Sequence, residues 1–304
     1  MKKKIIALLS TMVLTTTMLF GCGSTSASTQ ASSEESAEVA TEAASDDTAE
    51  AATEVSTDAT ADGELLASIK ASGKIVVGTA SGYPPYEFVD ITSADQSIIG
   101  VDIEFAQAIA DEIGVELEIQ DMSFSSLLSS LPAHKIDVAI AGIAPTDERK
   151  ESMDFSDVYL TADQKFLILK SNADKYATID SFKGETLAAE KSTTQEALCQ
   201  TLFPDNQLVS IERVPDCIME LKNGNVAGVC VESIVGEQYV LSDSELAFAD
   251  ADTGAQKYSA VALEKGNEDL VAIINKVIKE HTDNGDFDKW VEEYSQKAAE
   301  NAAD

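Results

Sequence analysis

Histidine occurs only twice in the 304 residues, at His134 and His281. The two are far apart and have no partner at metal-ligand spacing, so no metal centre is expected and both read as surface residues. Cysteine is scarce as well: Cys22, Cys199, Cys217 and Cys230 include no C-x-x-C pair. With Cys22 set apart near the start, an odd number remains, which argues against a disulfide scaffold and a zinc ribbon. A single Cys199–Cys217 bridge stays open, while Cys230, inside VAGVCVE, reads as a small buried hydrophobe. Positive charge is the third deficit. Lys and Arg total 21 against 54 Asp and Glu, a formal net charge of -33. Such a chain offers no basic stripe to phosphate, which excludes nucleic acid as a partner. No G-x-S-x-G, H-E-x-x-H or G-x-x-x-x-G-K is present and no Cys/His pairing stands out, so no catalytic machinery and no cofactor are expected.

What is present begins with Lys2, Lys3 and Lys4 ahead of an apolar stretch from Ile5 to Phe20. Its length and flanks suit a secretory leader, residues 1–21, rather than a spanning helix. A small residue directly before cysteine, Gly21-Cys22, resembles the lipobox of bacterial lipoproteins, which implies a lipid anchor on Cys22 and an extracytoplasmic location. From Gly23 to Asp62 the chain has no aromatic, Lys or Arg and is rich in Ala, Ser, Thr, Glu and Asp. It cannot bury enough apolar surface to offset its ordering entropy, so residues 22–63 are expected to form a disordered acidic tether.

The remaining body alternates short apolar runs with helical patterns. KIVVGT (74–79) reads as a strand; VDIEFAQAIADEIG places Val101, Phe105, Ile109 and Ile113 on one stripe of a helix. VELEI, IDVAIAG, FLILK, TLAA, LVSI and VAGVCVE follow as strands, and YSAVALEKG opens the tail. Helices are expected between them at FSSLLSSL, 194–202, 216–222 and from Ser233, with two more, from Asn267 to His281 and ending near Tyr294. This order predicts an α/β protein with largely parallel sheets.

GKIVVGTASGYPPYEFVD, IDVAIAGIAPTDERKESMDFSDVYL, EKSTTQEA and LKNGNVAGVCVES, in that order, resemble successive blocks of the extracellular solute-binding proteins of family 3. The resemblance implies a two-lobed fold of the type II periplasmic-binding class, with two crossing strands as hinge and a ligand cleft between the lobes. Lobe one would comprise 64–163 and 256–304, and lobe two 164–255. It further implies a monomer that captures an amino acid and delivers it to an ABC transporter permease. Secreted enzymes of the same fold, such as dehydratases, and ligand-sensing surface lipoproteins are the alternatives.

A zwitterion enters a dry cleft only if both its charges are paired. Arg149 matches the family's carboxylate-binding arginine, and a planar guanidinium suits that task; the competing reading is an ion pair with Asp147, Glu151 or Asp154. Glu232 stands where most members carry aspartate, and is expected to take the ligand ammonium. Gly142, Ala144 in place of a common threonine, Ser192 in place of a common glycine, and Thr193 at a helix start complete the polar pocket. Tyr83, Tyr86 and Phe124 match its aromatic positions. Receptors for cationic amino acids often carry an acid at position 80; Ala80 therefore tilts the expectation towards a neutral ligand.

Overall fold

The structure, a computed structural model, describes residues 63–301. The expected leader, the lipidation position Cys22 and nearly all of the acidic tether lie outside these residues. In chain order the elements are α1 (Glu64–Ser72), β1 (Lys74–Thr79), β2 (Phe88–Val89), β3 (Ile98–Ile99), α2 (Val101–Ile113), β4 (Glu116–Asp121), α3 (Phe124–Ser130), β5 (Val138–Ile143), α4 (Asp147–Lys150), β6 (Met153–Phe155) and β7 (Leu160–Leu169). After two short 3-10 turns they continue as β8 (Leu187–Glu190), α5 (Thr194–Leu202), β9 (Leu208–Ile211), α6 (Val214–Lys222), β10 (Gly228–Glu232), α7 (Ser233–Ser242), β11 (Leu246–Phe248), β12 (Gln256–Glu264), α8 (Glu268–Asp283) and α9 (Asp286–Asn301).

The strands run in the order β4-β1-β5-β12-β7-β10-β8-β9, with β6 on β12 and β11 on β7. Strands joined through a helix pair in parallel: β1 with β4 and β5, and β8 with β9 and β10. The antiparallel pairs cluster on the two strands that cross between the lobes. There β7 meets β12 with Asp163 opposite Gln256 and Leu160 opposite Ser259. The α/β expectation therefore holds, with two lobes each built on its own sheet and joined by this crossing pair. Helices α2 and α8 cover the first sheet, with α9 packed on both and on α7, and bury Phe105, Ile109, Ile274 and Phe287; α6 and α7 cover the second, burying Cys217, Leu221 and Val235.

Two readings of the sequence are sharpened here. Cys199 and Cys217 are not bridged: both are free and buried. Cys199, on α5, packs with Cys230 and Phe166, whereas Cys217, on α6, belongs to a different core cluster. His281 is half-buried rather than fully exposed; its Nδ1 lies 2.9 Å from an Asp286 carboxylate oxygen and its ring packs on Trp290.

The loop that carries Tyr83 and Tyr86 is pinned to the start of α2. Val101 N–H donates to the Pro85 carbonyl (3.0 Å) and Asp102 N–H to that of Tyr86 (2.9 Å). Gly100 makes the approach feasible at φ 142° and ψ 178°, a region essentially reserved for glycine. A Cβ there would sit 2.0 Å from the Tyr86 carbonyl oxygen. Gly100→Ala is expected to lower folding stability by about 2 to 4 kcal/mol, read as an earlier urea midpoint. An unchanged midpoint would mean that this junction yields without strain.

Candidate ligand-binding cleft

β5 is apolar and wholly buried, and it delivers the chain to the cleft at Gly142. The Gly142 N–H donates to the buried Asp102 carboxylate (2.9 Å), which also accepts from the Tyr159 hydroxyl (2.9 Å). Burial nonetheless pushes Asp102 up to about 6. Gly142 has φ 52°, in the left-handed region that favours glycine, and the Lys257 ammonium comes within 2.8 Å of where a Cβ would stand.

Beyond the turn at Ala144, the Thr146 hydroxyl caps a single helical turn by accepting from Arg149 N–H (3.3 Å). The Arg149 guanidinium folds back to donate to the Ala144 carbonyl (2.8 Å) and reaches across the cleft to that of Ser192 (2.8 Å). It also lies 5.4 Å from the centre of the Phe124 ring. The ion pair with Asp147, Glu151 or Asp154 does not form; Asp154 pairs with Lys265 instead. Burial brings the guanidinium down to about 10, which leaves it charged at neutral pH.

A narrow cavity lies at this point, between the end of β5 and the start of α5. Of the residues singled out in the sequence, Tyr83, Phe124, Gly142, Ala144, Arg149 and Thr193 line it. Thr193 caps α5, whose N-terminal Thr194 and Gln195 also face the cavity and present the end of the helix that favours anions. Ser192 stands outside the lining, at the rim beside Arg149, with φ 65°. That left-handed backbone is one glycine adopts more readily than serine. Tyr86 is also withdrawn from the cavity: it is fully buried, and its hydroxyl has no hydrogen-bond partner.

Glu232 departs furthest from expectation. It is wholly buried at the end of β10 and does not line the cavity, and one of its oxygens is 2.8 Å from Lys257 Nζ. The chain itself therefore supplies an ammonium to the carboxylate that was expected to wait for the ligand's. Lys257 does line the cavity, 4.8 Å from the Tyr83 ring centre and 3.3 Å from its hydroxyl. Its sequence signal is a lysine at an inward position of a strand whose neighbours alternate in burial.

Two further carboxyls escaped the sequence reading, Glu87 and Glu190, and both line the cavity. Glu190 ends the buried strand β8, an acid closing the run LAAE, which was the available signal. Burial pushes it up to about 8, against the opposing pull of Lys257 and Arg213. Burial, helped by the nearby Asp102, also holds Glu87 well above the usual carboxylate range. Asp121 is already engaged, 3.0 Å from Arg213. That pair, the Arg149–Ser192 bond and a Tyr239 hydroxyl bond to the Gly82 carbonyl (2.9 Å) hold the two lobes closed.

The sequence profile of the bacterial extracellular solute-binding proteins, family 3, matches residues 75–297. The chain is 34% identical over 220 residues to the arginine-binding extracellular protein ArtP of Bacillus subtilis, spanning 71% of this chain and 84% of that protein. It is 28% identical over 230 residues to the L-cystine-binding protein TcyJ of Escherichia coli, spanning 74% and 85%. Among solved structures, the amino acid ABC transporter substrate-binding protein AbpA from Streptococcus pneumoniae, bound to L-arginine, matches with a TM-score of 0.75 at 34% identity. That match covers 77% of this chain and 99% of that one.

Proposed function

Because the chain belongs to the bacterial extracellular solute-binding proteins of family 3, we propose that it captures a free amino acid in the cleft and hands it to the permease of an ABC importer. One observation carries this reading. Arg149 presents a half-buried guanidinium to the cavity, bonded to two backbone carbonyls and to no carboxylate of the described residues. A charge so placed lacks its natural partner, and an α-carboxylate supplies it with two parallel bonds. The start of α5 at Thr193 adds donors to the same pocket, Gly142 and Ala144 bring backbone close to the ligand, and Tyr83 with Phe124 flanks its side chain. In this reading Glu232 balances Lys257 rather than the ligand, and Tyr86 and Ser192 support the pocket from outside it.

The protein binds its ligand without converting it and acts as a monomer. Residues 1–21 are its leader, Cys22 carries the lipid anchor, and residues 22–63 tether the body to the outer face of the membrane. Lobe one takes 64–163 and 256–304, and lobe two 164–255. Closure of the lobes over the ligand forms the surface that the permease reads.

The test is a thermal-shift screen of protein stripped by unfolding and refolding, against the common amino acids and cystine. A ligand at one hundred times its dissociation constant stabilises by about 2.7 kcal/mol. A shift with one chemical class of amino acid is the expected result; refolded protein that responds to none of them sinks the reading.

A further inference from the structure

Resting on the amino acid reading of the cleft, we infer that Glu190 is a specificity residue that receives a cationic ligand side chain, so that the preferred ligand is a basic amino acid. The charges inside the closed cleft lead there. Lys257 and Glu232 satisfy each other at 2.8 Å. Arg149 is matched by the ligand's carboxylate. Two carboxyls, Glu87 and Glu190, are then left facing the cavity, and a ligand with a neutral side chain brings only one cation, its α-ammonium.

Both carboxyls lack partners. Glu87 is 1% exposed, and one of its oxygens has no hydrogen-bond partner. Glu190 is 9% exposed, and its carboxyl accepts no hydrogen bond from any described residue; the nearby Thr193 hydroxyl donates to its backbone carbonyl instead. Such groups are costly to bury unless something completes them. Glu190 lines the same cavity as Arg149 from the end of a different strand, β8, so an amino acid held by its carboxylate at Arg149 can bring a second charged group to it. On this inference the ligand is cationic where Ala80 had pointed to a neutral one: the first lobe offers no acid at that position, and the end of β8 in the second lobe supplies one.

The test compares charged ligands with uncharged ligands of the same shape on the full chain stripped of ligand. Titration calorimetry is run with L-arginine against L-citrulline and with L-lysine against L-norleucine, for the wild type and Glu190→Gln. In the wild type, the cationic member of at least one pair is expected to bind at least about 30-fold tighter than its neutral partner. In Glu190→Gln that preference collapses, chiefly because the cation binds more weakly, while the empty variant melts no lower than the wild type. The inference is overturned if the neutral partners bind the wild type as tightly, or if Glu190→Gln weakens both members of a pair by the same factor. Binding of neutral amino acids alone leaves the receptor standing and removes only this inference. Binding of no amino acid removes both.

Discussion

Replacing Arg149 with alanine is expected to weaken ligand binding by at least about 30-fold while leaving the fold in place, since truncating one partner of a buried charge pair costs about 2 to 5 kcal/mol. The variant loses the forked donor for the carboxylate and also the 2.8 Å bond to the Ser192 carbonyl, one of the contacts that join the two lobes. Both losses act on the closed, liganded state. The packing beneath is spared, because α4 buries no residue and Arg149 touches Phe124 only through its ring face. Arg149→Lys should fall between wild type and alanine, a point charge replacing a planar fork. Calorimetric affinities, with melting curves to confirm folding, provide the check. An alanine variant that binds within about threefold of wild type would remove the carboxylate role.

The largest loss of stability is expected from Lys257→Met. The Lys257 and Glu232 side chains are 6% and 0% exposed, and one Glu232 oxygen already lacks a hydrogen-bond partner. Removing the ammonium leaves a buried carboxylate with no counter-charge, at a cost of about 3 to 5 kcal/mol. Adding Glu232→Gln to the same chain removes the stranded charge and should restore most of that loss, because the pair as a whole contributes far less than breaking it costs. Urea unfolding of the two single variants and the double variant measures this coupling directly. Additive losses would show that the two side chains do not depend on each other, and would return Glu232 to the ligand.

Much of this was legible in the sequence, because the signals for it are local. The run Thr194–Leu202 was bounded to the residue, and so was Lys74–Thr79, since hydrophobic periodicity and flanking glycine or threonine are short-range properties. The position of Arg149 just past a buried strand could be read in the same way. Helix α1 and the two-residue strands β2 and β3 were missed; the first follows directly on the acidic tether, and the others are too short to show a period. Lys257 and Glu190 were missed for a different reason. Each is a lone charged residue in an apolar segment, and whether it faces solvent, a partner or a cavity is decided by a strand from the other lobe. Glu232 shows the same limit: its location at the end of β10 was foreseen, but the lysine that claims it comes from β12 and shares no local pattern with it.

Strand β5 has β1 along one edge and β12 along the other, and β12 is contributed from near the far end of the chain. Until residues 256–264 arrive, β5 is an apolar strand with an open hydrogen-bonding edge, the kind of surface on which unfinished chains associate. Joining it to β12 closes a loop of roughly 120 residues, an entropic cost that must be met before the pairing returns any energy. Folding should therefore be slow and non-local. A chain interrupted before β12 would contain Arg149, Glu190 and Glu232, but neither the lysine that neutralises the last of these nor the strand that brings the lobes together.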